Sequence, residues 1–194
     1  MKKVLLFAAF AAFAMTSVNA QDEDSSGFAK SDIYMTGTVG FNSASSGDAD
    51  SSDFNFSPAV GYMMSDNIAL EAGLSFGGAT AADDSEISTV GLNVGARWFM
   101  TPGEKFSLSV GVGFGYGTAT ASATGVDDVT ATGISFAVAP AINYWVSDSF
   151  GLVATVAALS YNSSELDIDG AEADTSFGLN VDLSDINFGM VYKF

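Results

Sequence analysis

Few residues in this chain are equipped for chemistry. It has no histidine and no cysteine, and Arg97 is its only arginine. Without an imidazole, a serine here has no ready base to activate it, and without a thiol no disulfide or metal-thiolate site can form. Two constellations remain. Glu71 and Arg97 each lie a few residues from a short turn, at Ser65-Asp66-Asn67 and Thr101-Pro102-Gly103-Glu104 respectively, and on the small-residue phase of an alternating pattern. An unpaired charge in a narrow interior is costly, so the two are expected to form an ion pair. Such a pair would serve as a structural plug; in a narrow water path it would be a gate. The second constellation is acidic: Glu165, Asp167, Asp169, Glu172 and Asp174. Asp167-Ile168-Asp169-Gly170 is similar to the start of a calcium loop, but the remaining ligand spacing is missing and a solvated acidic rim is the expected reading. No catalytic residue, cofactor or metal ligand is assigned.

The elements that must hold these residues alternate with a period of two. Phe54, Phe56, Pro58, Val60, Tyr62 and Met64 share one phase, with Asn55, Ser57, Ala59 and Gly61 on the other. After Ser65-Asp66-Asn67 the alternation resumes, with Ile68, Leu70, Ala72, Leu74 and Phe76 against Glu71, Gly73, Ser75 and Gly77. Successive strand side chains point to opposite faces, so this is a hairpin with one bulky apolar face and one small polar face. A soluble sheet would put Lys, Glu and Asp on its wet face. Gly, Ser, Ala and Asn suit instead the cramped interior of a small closed barrel, with the bulky face turned outward to lipid.

The same pattern predicts eight strands. The first covers about 32–41, the hairpin supplies the second and third, and the fourth covers about 87–100. The fifth, about 105–117, alternates Phe106, Leu108, Val110, Val112, Phe114 and Tyr116 with Ser and Gly. The sixth and seventh cover about 129–146 and 150–161, and the eighth closes the chain at Phe194. Ser/Gly/Asp-rich segments at 42–53, 78–86, 118–128 and 162–174 are expected to be loops. Long connections thus alternate with short ones, as external loops and periplasmic turns do in a membrane barrel. The expected fold is all-β: an eight-stranded antiparallel up-and-down transmembrane β-barrel with short periplasmic turns and longer acidic extracellular loops.

Pro58-Ala-Val-Gly-Tyr-Met-Met-Ser-Asp-Asn-Ile-Ala-Leu70 is echoed by Pro140-Ala-Ile-Asn-Tyr-Trp-Val-Ser-Asp-Ser-Phe-Gly-Leu152, as if the barrel were two similar halves. Both prolines remove a ladder donor, so a bulge or local break is expected at each. The phase also slips at Ser184-Asp185, where a bulge would restore the faces. Tyr62, Trp98, Phe106, Tyr144, Phe150, Tyr192 and Phe194 gather near the short turns, and Phe41, Phe54, Phe76, Tyr116 and Phe177 near the long connections. These are the two expected interfacial girdles.

Residues 1–20 read as a secretory leader: a Lys2-Lys3 start, an apolar run from Val4 to Ala14 and a Val18-Asn19-Ala20 cleavage site. Residues 21–31 follow as a polar periplasmic lead-in, and 32–194 form the barrel. Past the leader the chain holds four cations and 23 acids, a net charge of −19. That balance disfavours nucleic acid as a partner.

The closing Phe188-Gly-Met-Val-Tyr-Lys-Phe194 looks like the signal by which outer-membrane barrels are recognised for assembly. With the leader and the Pro-Ala-x-x-Tyr hairpins, residues 31–194 resemble the small OmpA/OmpX-type barrels, the outer membrane protein β-barrel or porin-family group. Unlike in full OmpA, no peptidoglycan-binding domain is expected after the barrel. The resemblance implies a place in the cell outer membrane among its lipids, and engagement of the barrel-assembly machinery through Phe188, Met190, Tyr192 and Phe194. The expected role is structural or surface interaction without catalysis, since the enzymatic barrels of this membrane use histidine. An extracellular partner would meet the acidic loops, and the barrel is expected to be a monomer. A narrow pore for water, ions or very small solutes is the alternative. A secreted soluble barrel binding an apolar ligand would need the aromatic face turned inward.

Overall fold

A computed structural model describes residues 27–46, 49–83, 85–155, 158–168, 170–180 and 187–194. The proposed leader and its cleavage site, the Ser184-Asp185 slip and Asp169 lie outside the described residues. Among the described residues there are ten strands: β1 Ile33–Ser46, β2 Ala49–Met63, β3 Ile68–Thr80, β4 Glu86–Phe99, β5 Phe106–Ala123, β6 Val126–Trp145, β7 Phe150–Thr155, β8 Ala158–Leu166, β9 Asp174–Asn180 and β10 Asn187–Lys193. Each of the first six pairs antiparallel with its successor. β6 then pairs with β7 near the short turns and with β8 further along, so β7 and β8 together are the seventh stave. β9 and β10 are the eighth in the same way. β10 pairs back onto β1 from Tyr34↔Lys193 to Gly37↔Met190, which closes an eight-stave antiparallel barrel.

Alternation decides the faces. Along β5, Val112 is 43% exposed and Phe114 47%, whereas Ser107 and Ser109 are each 1% exposed. Through the middle of the staves bulky side chains turn outward and small ones turn in; at the short-turn end Tyr34, Met63, Phe99 and Trp145 are bulky residues that turn in. From Phe106 to Tyr116 the chain advances ~34 Å, or ~25 Å in height at a tilt of ~40°, which matches the apolar band of an outer-membrane barrel.

The segments expected to be loops at the far end are largely strand. β1 and β2 continue to Ser46↔Ala49, and β5 and β6 meet at a two-residue turn, Thr124-Gly125, with Gly125 at φ 80°. A left-handed glycine suits so tight a hairpin. The long-loop expectation therefore needs correction: Ser, Thr and Ala have little apolar signal, yet cross-strand pairs carry the ladder through them. Thr118 faces Thr132 and Thr120 faces Thr130, the last two hydroxyls 3.1 Å apart. Such Thr–Thr pairs stabilise a sheet without burying apolar surface. Between β3 and β4 a short loop remains, in which the Ser85 hydroxyl donates to Asp83 at 2.6 Å and holds that carboxyl below its ordinary range.

Both repeated prolines sit where pairing with the following stave is interrupted. β2 pairs with β3 on either side of Ser57-Pro58 but not across it, while Pro58 stays in register with Gly37 of β1. Pro140 faces Val110 of β5, and on its other side the partner changes from β7 to β8. A missing N–H leaves no donor for the ladder at that point. In the eighth stave, β10 pairs with β7 as far as Asn187↔Thr155, and β9 pairs with β8 from Asn180↔Ala158.

Candidate functional site

The lumen near the short turns is filled in two layers. In the inner layer, β3 and β4 place Ala69 opposite Arg97 and Glu71 opposite Gly95. Glu71 and Arg97 are thus diagonal neighbours, a gap that a long side chain can span. Arg97 Nε donates to Glu71 Oε1 at 2.8 Å and Nη2 to Oε2 at 3.1 Å, a bidentate contact. Tyr34 of β1 donates its hydroxyl to Glu71 Oε1 at 2.7 Å, so three staves meet at one carboxylate. Glycines make this possible. A Cβ on Gly61 would enter the Tyr34 ring, and one on Gly111 would lie 3.5 Å from the guanidinium. Charge-assisted bonds in a fork are both strong and directional, so the layer is rigid.

Beneath it lies an apolar cluster of Phe28, Tyr34, Met63, Ala69, Phe99, Trp145 and Val191. Phe28 is its centre: its ring centroid lies 4.6 Å from Tyr34, 4.8 Å from Phe99 and 4.8 Å from Trp145. Beside the cluster, Asn143 Nδ2 donates to Ser109 Oγ at 2.8 Å and to the Ser107 carbonyl at 3.2 Å, which satisfies a buried amide.

On the far side of the ion pair the lumen is open. A cavity of about 220 Å³ is lined by Glu71, Gly73, Asn93, Arg97, Gly111 and Gly113. A second, of about 330 Å³, is lined by Ser75, Gly91, Asn93, Gly115, Gly117 and Ser135. Asn93 borders both. The wall has little recognition chemistry beyond amide and hydroxyl groups, and among the described residues no group of carboxylates is arranged to hold a metal.

The other residues singled out from the sequence lie on the outward face. Tyr62, Trp98, Phe106 and Tyr144 are exposed around the short-turn end, with Phe150 and Tyr192 half-buried among them. Lys105 Nζ lies 5.5 Å from the Tyr144 ring, and Tyr192 meets Phe194 edge-on at 5.3 Å. Phe188 and Met190 on the closing strand, and Phe194 just after it, are exposed. Phe41, Phe54, Phe76, Tyr116 and Phe177 also face out, but the strands continue past them.

Several lumen residues were not singled out from the sequence: Phe28, Met63, Phe99, Trp145, Asn143 and Lys193. For Met63 and Trp145 a signal existed, since the internal repeat aligns them one step after the outward Tyr62 and Tyr144. For Phe28 there was none.

A family model described as the outer membrane protein beta-barrel domain matches residues 8–194. Among solved structures, Neisserial surface protein A is similar at a TM-score of 0.55 and 15% identity, over 84% of this chain and 97% of that one. The outer membrane protein OprG of Pseudomonas aeruginosa matches at 0.53 and 15% identity, over 88% and 99%. The N-terminal β-barrel domain of OprF from the same organism matches at 0.50 and 14%, over 85% and 98%. At these identities the likeness is one of fold. No curated protein matches the sequence at a significant level.

Proposed function

The chain belongs to the outer membrane protein beta-barrel family, whose place is the cell outer membrane, and from that premise we propose that it is a non-catalytic, closed scaffold. Its task in this reading is to hold four β-hairpins beyond the lipid-facing band for structural or surface interaction. The observation that carries the proposal is the filled lumen: Phe28 and its aromatic neighbours, followed by the Glu71–Arg97–Tyr34 layer, occupy the short-turn half. Such a barrel supports the bilayer-exposed surface without offering a through path.

Charge supports a role at the far end. The far hairpins carry Asp50, Asp53, Asp83, Glu86, Asp127, Asp128, Glu165, Asp167, Glu172 and Asp174, whereas Lys30, Arg97, Lys105 and Lys193 all lie in the short-turn half. An extracellular partner would meet an acidic, Ser/Thr-rich surface there. Phe188, Met190, Tyr192 and Phe194 supply the closing strand through which barrel-assembly machinery would engage the chain, and the inserted form is a monomer.

Reconstitution tests the reading. Folded protein is expected to need detergent or lipid to stay dispersed and to change gel mobility on boiling. In planar bilayers it should give no discrete conductance steps, and proteoliposomes should not swell in small sugars. A narrow pore is the second reading, favoured by the two lumen cavities. Reproducible steps in salt, at a protein concentration where boiled material gives none, would decide for it.

A further inference from the structure

We propose that residues 27–32, immediately ahead of β1, are a built-in stopper: Phe28 seals the short-turn mouth of the barrel, and Lys193 is the latch that holds it there. This rests on the closed-barrel reading and adds which element shuts it. Phe28 is 5% exposed although its neighbours Gly27, Ala29 and Lys30 are not strand residues. Its ring fills a cage whose walls come from three different staves, Tyr34 of β1, Phe99 of β4 and Trp145 of β6.

The strap around it is fastened at both ends. Phe28 N donates to the Pro102 carbonyl at 2.7 Å, in the turn between β4 and β5. Ser31 N donates to the Met63 carbonyl and Met63 N to the Asp32 carbonyl, both at 2.9 Å. The Asp32 carboxylate accepts from Ala29 N at 2.8 Å and lies 3.8 Å from Lys193 Nζ. Lys193 is the last residue of the closing strand and points into the lumen. Its Nζ donates to the Gly27 carbonyl at 2.6 Å and lies 5.4 Å from the Trp145 ring. One cation therefore ties the start of the strap, the aromatic cage and the last strand together.

Gly27 gives this arrangement a separable weak point. Its φ is 115°, and a Cβ there would collide with the Pro102 carbonyl. An alanine at 27 is strained by both the dihedral and the collision, so it should expel the strap and leave every cage residue intact.

The test uses thiol access, because the chain contains no cysteine of its own. Ser109→Cys places a reporter at a 1%-exposed lumen position, opposite Phe99 on the neighbouring strand. A small charged methanethiosulfonate is added to one compartment at a time, with the protein in phospholipid vesicles. In the otherwise unchanged chain, labelling is expected to be slow from the short-turn side. Phe28→Ala and Gly27→Ala should each accelerate it by about tenfold or more, and Phe28→Leu should restore most of the protection. Lys193→Gln should fall between, because the cage remains while the latch is lost. Equal rates, within about twofold, in variants whose gel mobility still shifts on boiling would overturn the stopper. Loss of the mobility shift in the reporter chain itself would count against the closed barrel instead. If Phe28→Ala fails to fold, Gly27→Ala and Lys193→Gln decide the matter.

Discussion

Arginine in place of Val112 should destabilise the barrel in a lipid bilayer by about 2–4 kcal/mol, because the side chain would stand at mid-depth in hydrocarbon. Val112 is exposed and lies between Phe106 and Tyr116 on one strand, so there is no core for the substitution to disturb. An ordinary soluble sheet would hardly respond to a charge at so exposed a site. Depth supplies the control. Ser88 is exposed on the outward phase near the far end of β4, and Ser88→Arg should cost about 0–1 kcal/mol. Urea titrations in vesicles, followed by the fluorescence of Trp98 and Trp145, measure both. A Val112→Arg barrel as stable as the parent would contradict the outward-facing lipid surface.

Removing Arg97 tests the lumen. Arg97→Ala leaves Glu71 without its fork while Tyr34 still donates to it. Stranding a buried carboxylate typically costs 3–5 kcal/mol. Here the Arg97 and Glu71 side chains are 20% and 16% exposed and border a cavity, so solvent screening reduces the expected loss to about 2–3 kcal/mol. The double variant Glu71→Ala/Arg97→Ala removes both charges and should recover about half of that loss, which a non-additive double-mutant cycle would reveal. Conductance separates the two roles of the pair. With Phe28 in its cage, Arg97→Ala should remain silent in planar bilayers. Steps appearing in this variant alone would make the pair the gate and the aromatic layer permeable.

These predictions draw on different levels of the protein. The bilayer surface was legible because alternation assigns a face residue by residue: Val112 and Phe114 share a phase, and Gly111 and Gly113 share the other. Glu71 and Arg97 were legible as inward charges for the same reason, and the cost of an unpaired ion favours their meeting. The far hairpins were not legible, since Thr118, Ala119, Thr120 and their partners carry no apolar contrast between faces. Their strand character comes from pairing with one another. Phe28 was invisible for another reason. A lone aromatic among Gly27, Ala29 and Lys30 has no period, and only the mouth of a finished barrel offers it a site.

By itself the sequence determined which way the side chains of the apolar band face, because a strand repeats every two residues and that repeat is written locally. It determined the pairing of neighbours in the same way, since short turns at 64–67, 100–105 and 146–149 leave successive strands little choice but to run antiparallel. Tertiary structure decided which inward residues meet across the lumen. Register put Arg97 diagonal to Glu71 and Tyr34 opposite Gly61, and closure of β10 on β1 brought Lys193 beside Gly27. Register and shear are properties of the closed ring rather than of any one segment, so no local pattern encodes them.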